Sequence, residues 1–362
     1  MGAFPDLAQR KRFQAFLDRE RAERPLLGCT VGFNMSEQYP AAAASLPLGL
    51  ISPADIRIDP FLADCERLYE LHGRLDDDFP FVAAPFIYLP WLEAIMGCPI
   101  HASETSMWAQ VAVDSWDTWH WEHPSPDNPW WRKLLELTAA LVEHSAGRYP
   151  VAPTLMRGPS DMLSALRGAA RFPMDFYDCP DLAYSAAELC ADVWIEVGKT
   201  QLALIPESDI GYIAGSHGLR AWAPERIIWL QEDAMALLSP AIFRKFILPH
   251  DRRIAAQFPY TGFHLHGSAL WAIRDLVSVP ELRIIELNHE SARADVEGTF
   301  AGYHQIQQHK PAVVWKQFDN NSWAWLDRIL AELPADGLSL QLTIEDIATS
   351  HAIMAAMMAR AA

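Results

Sequence analysis

Eight short, nearly continuous apolar runs recur along this chain with stretches of helical period between them, and that alternation restricts the fold more than any other feature. The runs are residues 26–33, 79–88, 149–156, 227–230, 262–265, 282–287, 312–315 and 338–344. Strands buried on both faces read as unbroken apolar segments rather than alternating ones. Between them, residues 59–75 place Phe61, Leu62, Cys65, Leu68, Tyr69 and Leu71 on one side of a helix. Ser239 and Pro240 supply an N-cap and a first-turn proline to another helix, running through Phe246. Residues 269–277 and 295–309 continue the pattern. Strand and helix repeated in this way predict a parallel α/β architecture. Eight candidate strands predict a closed (β/α)8 TIM barrel rather than a doubly wound sheet. No GxGxxG or GxxxxGK[ST] follows a strand, which argues against a nucleotide-binding Rossmann or P-loop domain.

A length of 362 residues suits either two ordinary domains or one large barrel. With no linker, repeat or charge block to divide it, the chain reads as a single domain over 1–362, with an N-terminal helical extension at 1–24 and a Trp-rich insertion at 100–133. Six of the fourteen tryptophans (Trp108, Trp116, Trp119, Trp121, Trp130 and Trp131) lie between residues 108 and 131. Such rings are core or interface material, or the lining of a substrate mouth, since Asp114, Asp117, His120, Glu122 and His123 are interleaved with them. Residues 200–222 read as a strand or as a long loop over the barrel mouth. A formal charge of −17 excludes a phosphate-binding nucleic-acid surface and disfavours anionic membranes. No apolar run of about 18 residues suggests a membrane span, and the charged N-terminus lacks the apolar core of a signal peptide. Five cysteines, odd in number and without a CxxC, fit reduced thiols in a cytoplasmic protein.

In barrels of this kind the chemistry sits at the C-terminal ends of the strands. That rule selects Asn34, with Glu37 and Tyr39 behind it, then Arg157, and then Gln231, Glu232 and Asp233. His264 and His266 follow, then Glu286, Asn288, His289 and Glu290, then Lys316, Gln317 and Asp319, and finally Glu345 and Asp346. Asp233 and Asn288 also read as turn caps. Residues two apart in a strand face the same side, so the imidazoles of His264 and His266 aim at one ligand, a metal or a substrate carboxylate. Glu286, Glu345 or Asp346 would complete a mixed nitrogen and oxygen site. Without a metal, the two histidines serve as acid and base or as hydrogen-bond donors. The candidate catalytic residues are therefore Asp233, His264, His266 and Glu286. Asn34, Arg157, Gln231, His289 and Lys316 are expected to bind substrate, and His264, His266, Glu286 and Glu345 to hold a metal. No GxSxG elbow is present and no cysteine sits at a strand end.

The stretch from Gln231 to Pro240, followed by Phe243, Phe246, Leu248 and Pro249, resembles a hallmark of the uroporphyrinogen decarboxylase-like and methionine-synthase-like superfamily. Phe263-His264-Leu265-His266-Gly267 is similar to its H-x-[CD]-G strand end, and Gly158-Pro159 to a dipeptide after an earlier strand. Leu166-Arg167-Gly168 with Asp178 and Pro180-Asp181 resembles a helix boundary of the family, and Phe86 to Gly97 with Glu104 to Trp108 its uncharacterised bacterial branch. The resemblance spans roughly residues 55–350. The decarboxylases carry an Arg-Gln-Ala-Gly-Arg segment after the first strand to grip a porphyrinogen's carboxylates. Here Phe33 to Tyr39 contains no arginine, which argues against that reaction. In the thiol-alkylating branch, zinc is held by an H-x-C pair and a later cysteine. The resemblance puts His264 at the histidine and His266 at the first cysteine, and leaves Glu345, Asp346 or Glu286 for the third ligand. It implies a methyl or alkyl transferase on a small-molecule substrate, zinc-dependent, with a separate corrinoid protein as partner. The alternatives are a metal-free lyase or hydrolase on a small polar or sugar-like substrate, and a non-enzymatic sensor on a degenerate barrel.

Overall fold

A computed structural model describes residues 5–119, 122–215, 218–290 and 295–361. His120 and Trp121 of the Trp-rich stretch lie outside the described residues. The centre is a parallel sheet of seven strands: β1 (Leu26–Val31), β2 (Met156–Arg157), β3 (Ile227–Gln231), β4 (Tyr260–Leu265), β5 (Leu282–Asn288), β6 (Ala312–Gln317) and β7 (Leu338–Ile344). Their order is β1-β7-β6-β5-β4-β3-β2, every pair parallel. The run at 79–88 forms no regular strand. Ala83 makes an isolated parallel bridge with Val151, upstream of β2, and Asp78, just before the run, donates its amide to the Leu27 carbonyl of β1 at 2.8 Å.

Amphipathic helices follow the strands and cover their outer face. They include α2 (Ile58–His72), α3 (Pro129–Ser145), α4 (Pro159–Arg167), α5 (Pro180–Leu204), α6 (Leu248–Ala255), α7 (Val296–Gln307), α8 (Trp323–Glu332) and α9 (Ile347–Ala361), after the N-terminal α1 (Leu7–Asp18). Because side chains alternate along a strand, each strand feeds two cores. Leu230, Phe263, Leu265, Ile285, Leu287, Val314 and Leu340 pack outward among the helices. Trp229, Ile284 and Val313 pack on the other face with Phe13 and Phe16 of α1 and with Trp222. Burial on both faces is what made the runs continuous in sequence.

The N-terminal helix is shorter than the 1–24 expected. Asp6 and Gln9 form a capping box at its start, and Arg19 ends it in the left-handed conformation (φ 54°). Residues 200–222 divide between the end of α5 and an antiparallel ribbon, Tyr212–Ala214 with Ala221–Ala223. At one end Trp222 stacks on Phe13 at 6.1 Å, and Leu219 between the two ribbon strands reaches the cavity at the C-terminal ends of the sheet. Its returning residues run along the inner face of the sheet, where Arg220 donates to the Cys29 carbonyl at 2.7 Å and to Gln341 at 3.4 Å. In the Trp-rich stretch, Ile100–Ala102 and Met107–Ala109 join Gly49–Ile51 in a small antiparallel sheet. Trp131 is fully buried and donates to Thr200 at 3.0 Å, while Trp116 lies under the Arg167 guanidinium at 4.9 Å. No described helix is long and apolar enough to cross a membrane.

Candidate metal centre

Parallel register sets four polar side chains in one row across four strands. Arg157 pairs with Gln231, Gln231 with His264, and His264 with Glu286. His266 follows one step beyond the end of β4, and Asp233 begins the turn after β3. The reactive atoms of three of these converge. His264 Nε2 and His266 Nε2 are 3.0 Å apart, and Asp233 Oδ1 lies 3.7 Å from the first and 3.3 Å from the second. Among the described residues, Asp233, His264 and His266 are the group of His, Cys, Asp and Glu that is compact enough to hold a metal ion.

The partners of the other ring nitrogens decide what these atoms can do. His264 Nδ1 faces Glu286 and His266 Nδ1 faces Glu290, each in a very short contact. An ionised carboxylate only accepts, so each Nδ1 carries the proton and each Nε2 is left with its lone pair. Two lone pairs and a carboxylate oxygen then point at one spot and repel one another unless a cation lies between them. Asp233 Oδ1 is buried without a hydrogen-bond donor of acceptable geometry, whereas Gln231 Nε2 donates to its Oδ2 in a very short contact. For zinc–nitrogen bonds of about 2.05 Å, a tetrahedron has edges of about 3.3 Å. The three separations bracket that value. The donor set therefore fits a divalent metal ion.

The electrostatics agree. Burial lowers the basicity of His266, but the Asp233 carboxylate 3.3 Å away and the charge of Glu286 outweigh this and push it up to about 9. Burial would raise Asp233, yet His266, His264 and Arg157 hold it below the usual carboxylate range. Glu286 is fully buried, and burial raises it against the pull of His264. The backbone of the Asp233 turn is held by Asp161 of α4, which accepts from the Asp233 amide at 3.1 Å and the Ala234 amide at 2.7 Å. The Asp233 carboxylate is thus free of capping duty and turns inward.

The structure separates the remaining candidates. Glu286 meets His264 Nδ1 rather than the convergent atoms, and Glu345 is exposed beyond β7 and is not brought to the cluster. Asp346 accepts from the Thr349 amide at 2.9 Å. Asn34 caps the short helix Met35–Gln38 through the Glu37 amide. His289 and Lys316 face the helices instead. His289 lies 3.2 Å from the Tyr303 hydroxyl, and the Lys316 ammonium sits 5.5 Å over Trp325. Arg157 and Gln231 do reach the site, lining a cavity of about 280 Å3 together with His264 and His266. None of the described tryptophans from 108 to 131 lines it; the indoles there are Trp91 and Trp315. Sequence reasoning passed over Glu93, a lone acid in the apolar run around Trp91, and gave Glu290 no role. Their only signal was an ionisable residue among apolar neighbours or just past a strand end.

No protein-family model matches this chain, and no curated protein matches its sequence. Its fold is similar to that of a solved methyltransferase from Methanosarcina mazei, with a TM-score of 0.64 over 98% of this chain and 99% of that one, at 16% sequence identity.

Proposed function

We propose that the chain is a divalent-metal-dependent methyl or alkyl transferase acting on a small substrate, with zinc held by Asp233, His264 and His266. The observation that carries this reading is the convergence of two imidazole lone pairs and one unsatisfied carboxylate oxygen at 3.0–3.7 Å. The likeness in fold to a methyltransferase over nearly the whole chain supports the reaction class. The closed eight-stranded barrel belongs to the same reading, supported by the Asp78 contact to β1 and the Ala83 bridge to Val151, upstream of β2.

Zinc in this position would supply a Lewis acid that keeps a bound thiol or hydroxyl deprotonated near neutral pH. The residues around it do the rest. Glu286 and Glu290 fix the imidazole orientation and increase the basicity of each Nε2. Gln231 holds Asp233 so that Oδ1 faces inward. Leu219, Trp91 and Trp315 exclude water from the acceptor atom. A cavity of about 280 Å3 lies at the low end of small-molecule sites. A tetrapyrrole-sized methyl donor must then be presented from outside, as a separate corrinoid protein would do.

Metal analysis tests the centre. We expect about one equivalent of zinc in the purified protein, and a large loss in His264→Ala and Asp233→Asn. Demethylation of methylcobalamin by a panel of small thiols tests the reaction. Metal-free protein that turns over polar lyase or hydrolase substrates at an undiminished rate would replace this reading with acid–base catalysis by His266 and Asp233.

A further inference from the structure

Within the same cavity as the histidines, Glu93 is the residue whose burial is least accounted for. It sits in the short helix Trp91–Ile95, its side chain 1% exposed and lining the cavity. Its Oε1 accepts one long bond, 3.3 Å, from Arg157 Nη1, and its Oε2 has no partner among the described residues. Arg157 is 38% exposed at its side chain, and among the described residues this is its one side-chain hydrogen bond, with the charges of Asp161 and Asp233 nearby.

A buried ion pair elsewhere in the molecule shows what a structural partnership looks like. Arg167 grips Asp175 with two parallel bonds of 2.6 and 2.9 Å, and its remaining donors go to the Val113 and Asp114 carbonyls. That fork satisfies both carboxylate oxygens. The Glu93–Arg157 contact is single and long, and leaves one buried carboxylate oxygen unpaired among the described residues, beside a cavity that both residues line. An ionised carboxylate oxygen buried without a donor is costly, and a cationic donor offsets that cost best.

Resting on the metal-centre reading, we infer that Glu93 and Arg157 form the recognition end of the substrate site and select a short amino compound, its ammonium on Glu93 and a neighbouring oxygen on Arg157. Amino alcohols and amino acids share this chemistry. The far end of such a molecule would carry the nucleophile toward Asp233, His264 and His266.

Cobalt(II)-loaded protein tests this with four thiols, read by the thiolate-to-cobalt absorption band. Cysteamine and cysteine carry the amine, while 3-mercaptopropanoate and ethanethiol lack it. We expect the aminothiols to bind about tenfold tighter or more than their amine-free counterparts, and Glu93→Gln to shrink the preference to about twofold. Cysteine binding tighter than cysteamine, with the gain lost in Arg157→Gln, would assign the oxygen to a carboxylate. The reverse order would overturn the role given to Arg157. Equal affinity of 3-mercaptopropanoate and cysteine, unchanged in Glu93→Gln, would overturn the inference while leaving the metal centre intact. If cobalt does not bind, the metal reading fails. The amine preference is then read on metal-free protein from the thermal shift with ethanolamine against ethanol, and equal shifts overturn it.

Discussion

At the scale of single residues, the centre is organised by what lies behind each ligand. Glu286 makes no contact with the convergent atoms, yet it selects the tautomer that gives His264 its metal-binding lone pair. Replacing it by Gln is expected to weaken zinc affinity about 10- to 100-fold without abolishing binding, whereas His264→Ala removes the site. A competition titration with a chromogenic chelator separates the two outcomes. His289 gives a prediction of another kind. Burial, with the charges of Lys316 and Arg328, lowers its pKa from 6.5 to about 4. The unfolded chain therefore takes up a proton below pH 6.5 that the folded chain refuses until about pH 4. The stability associated with this group is present above pH 6.5 and is lost as pH falls through 4. His289→Gln should flatten the decline in melting temperature over that interval, and an unchanged decline would place the effect elsewhere.

At the scale of elements, close packing across the sheet depends on side chains that are missing. A Cβ on Gly262 in β4 would stand 2.5 Å from the Trp229 ring, too close for any side chain without movement of the indole. Gly262→Ala should destabilise the fold by about 1–3 kcal/mol, seen as a lower denaturation midpoint. The N-terminal helix contributes through Phe13, 1% exposed and stacked on Phe79 at 4.9 Å and Trp222 at 6.1 Å. Phe13→Ala should cost about 3–5 kcal/mol and leave metal stoichiometry unchanged, because α1 packs far along the strands from their C-terminal ends. The strand and helix runs were legible because period and burial are properties of consecutive residues. The ribbon at residues 212–223 was not, since Arg220 and Trp222 are explained by partners from α1, β1 and β7 that are distant in sequence.

At the scale of the whole molecule, the proposed metal site would link ion binding to folding. The two histidines, Asp233 and their supporting carboxylates come from β3, β4, β5 and the turns beyond them, so an ion held there ties together strands that are separate in the chain. Free zinc at about a hundredfold over its dissociation constant should stabilise the native state by about 2.7 kcal/mol. The accompanying rise in melting temperature should vanish in His264→Ala. A rise that persists in that variant would mean zinc acts at another place.

The sequence by itself determined the parallel α/β class, the strand bearing His264 and the placing of His264 with His266 on one face, because each follows from local periodicity. It also marked Asp233, Arg157, Gln231 and Glu286 as strand-end residues. Only the tertiary structure decided their roles. It set Asp233 rather than Glu286 or Glu345 against the two Nε2 atoms, turned His289 and Lys316 toward the helices, and brought Glu93 to Arg157 from 64 residues away. Those outcomes depend on lateral register between strands and on the direction each side chain takes at its turn. Neither is encoded by spacing along the chain, since a side chain one residue past a strand end can face the cavity or the helices with equal local plausibility.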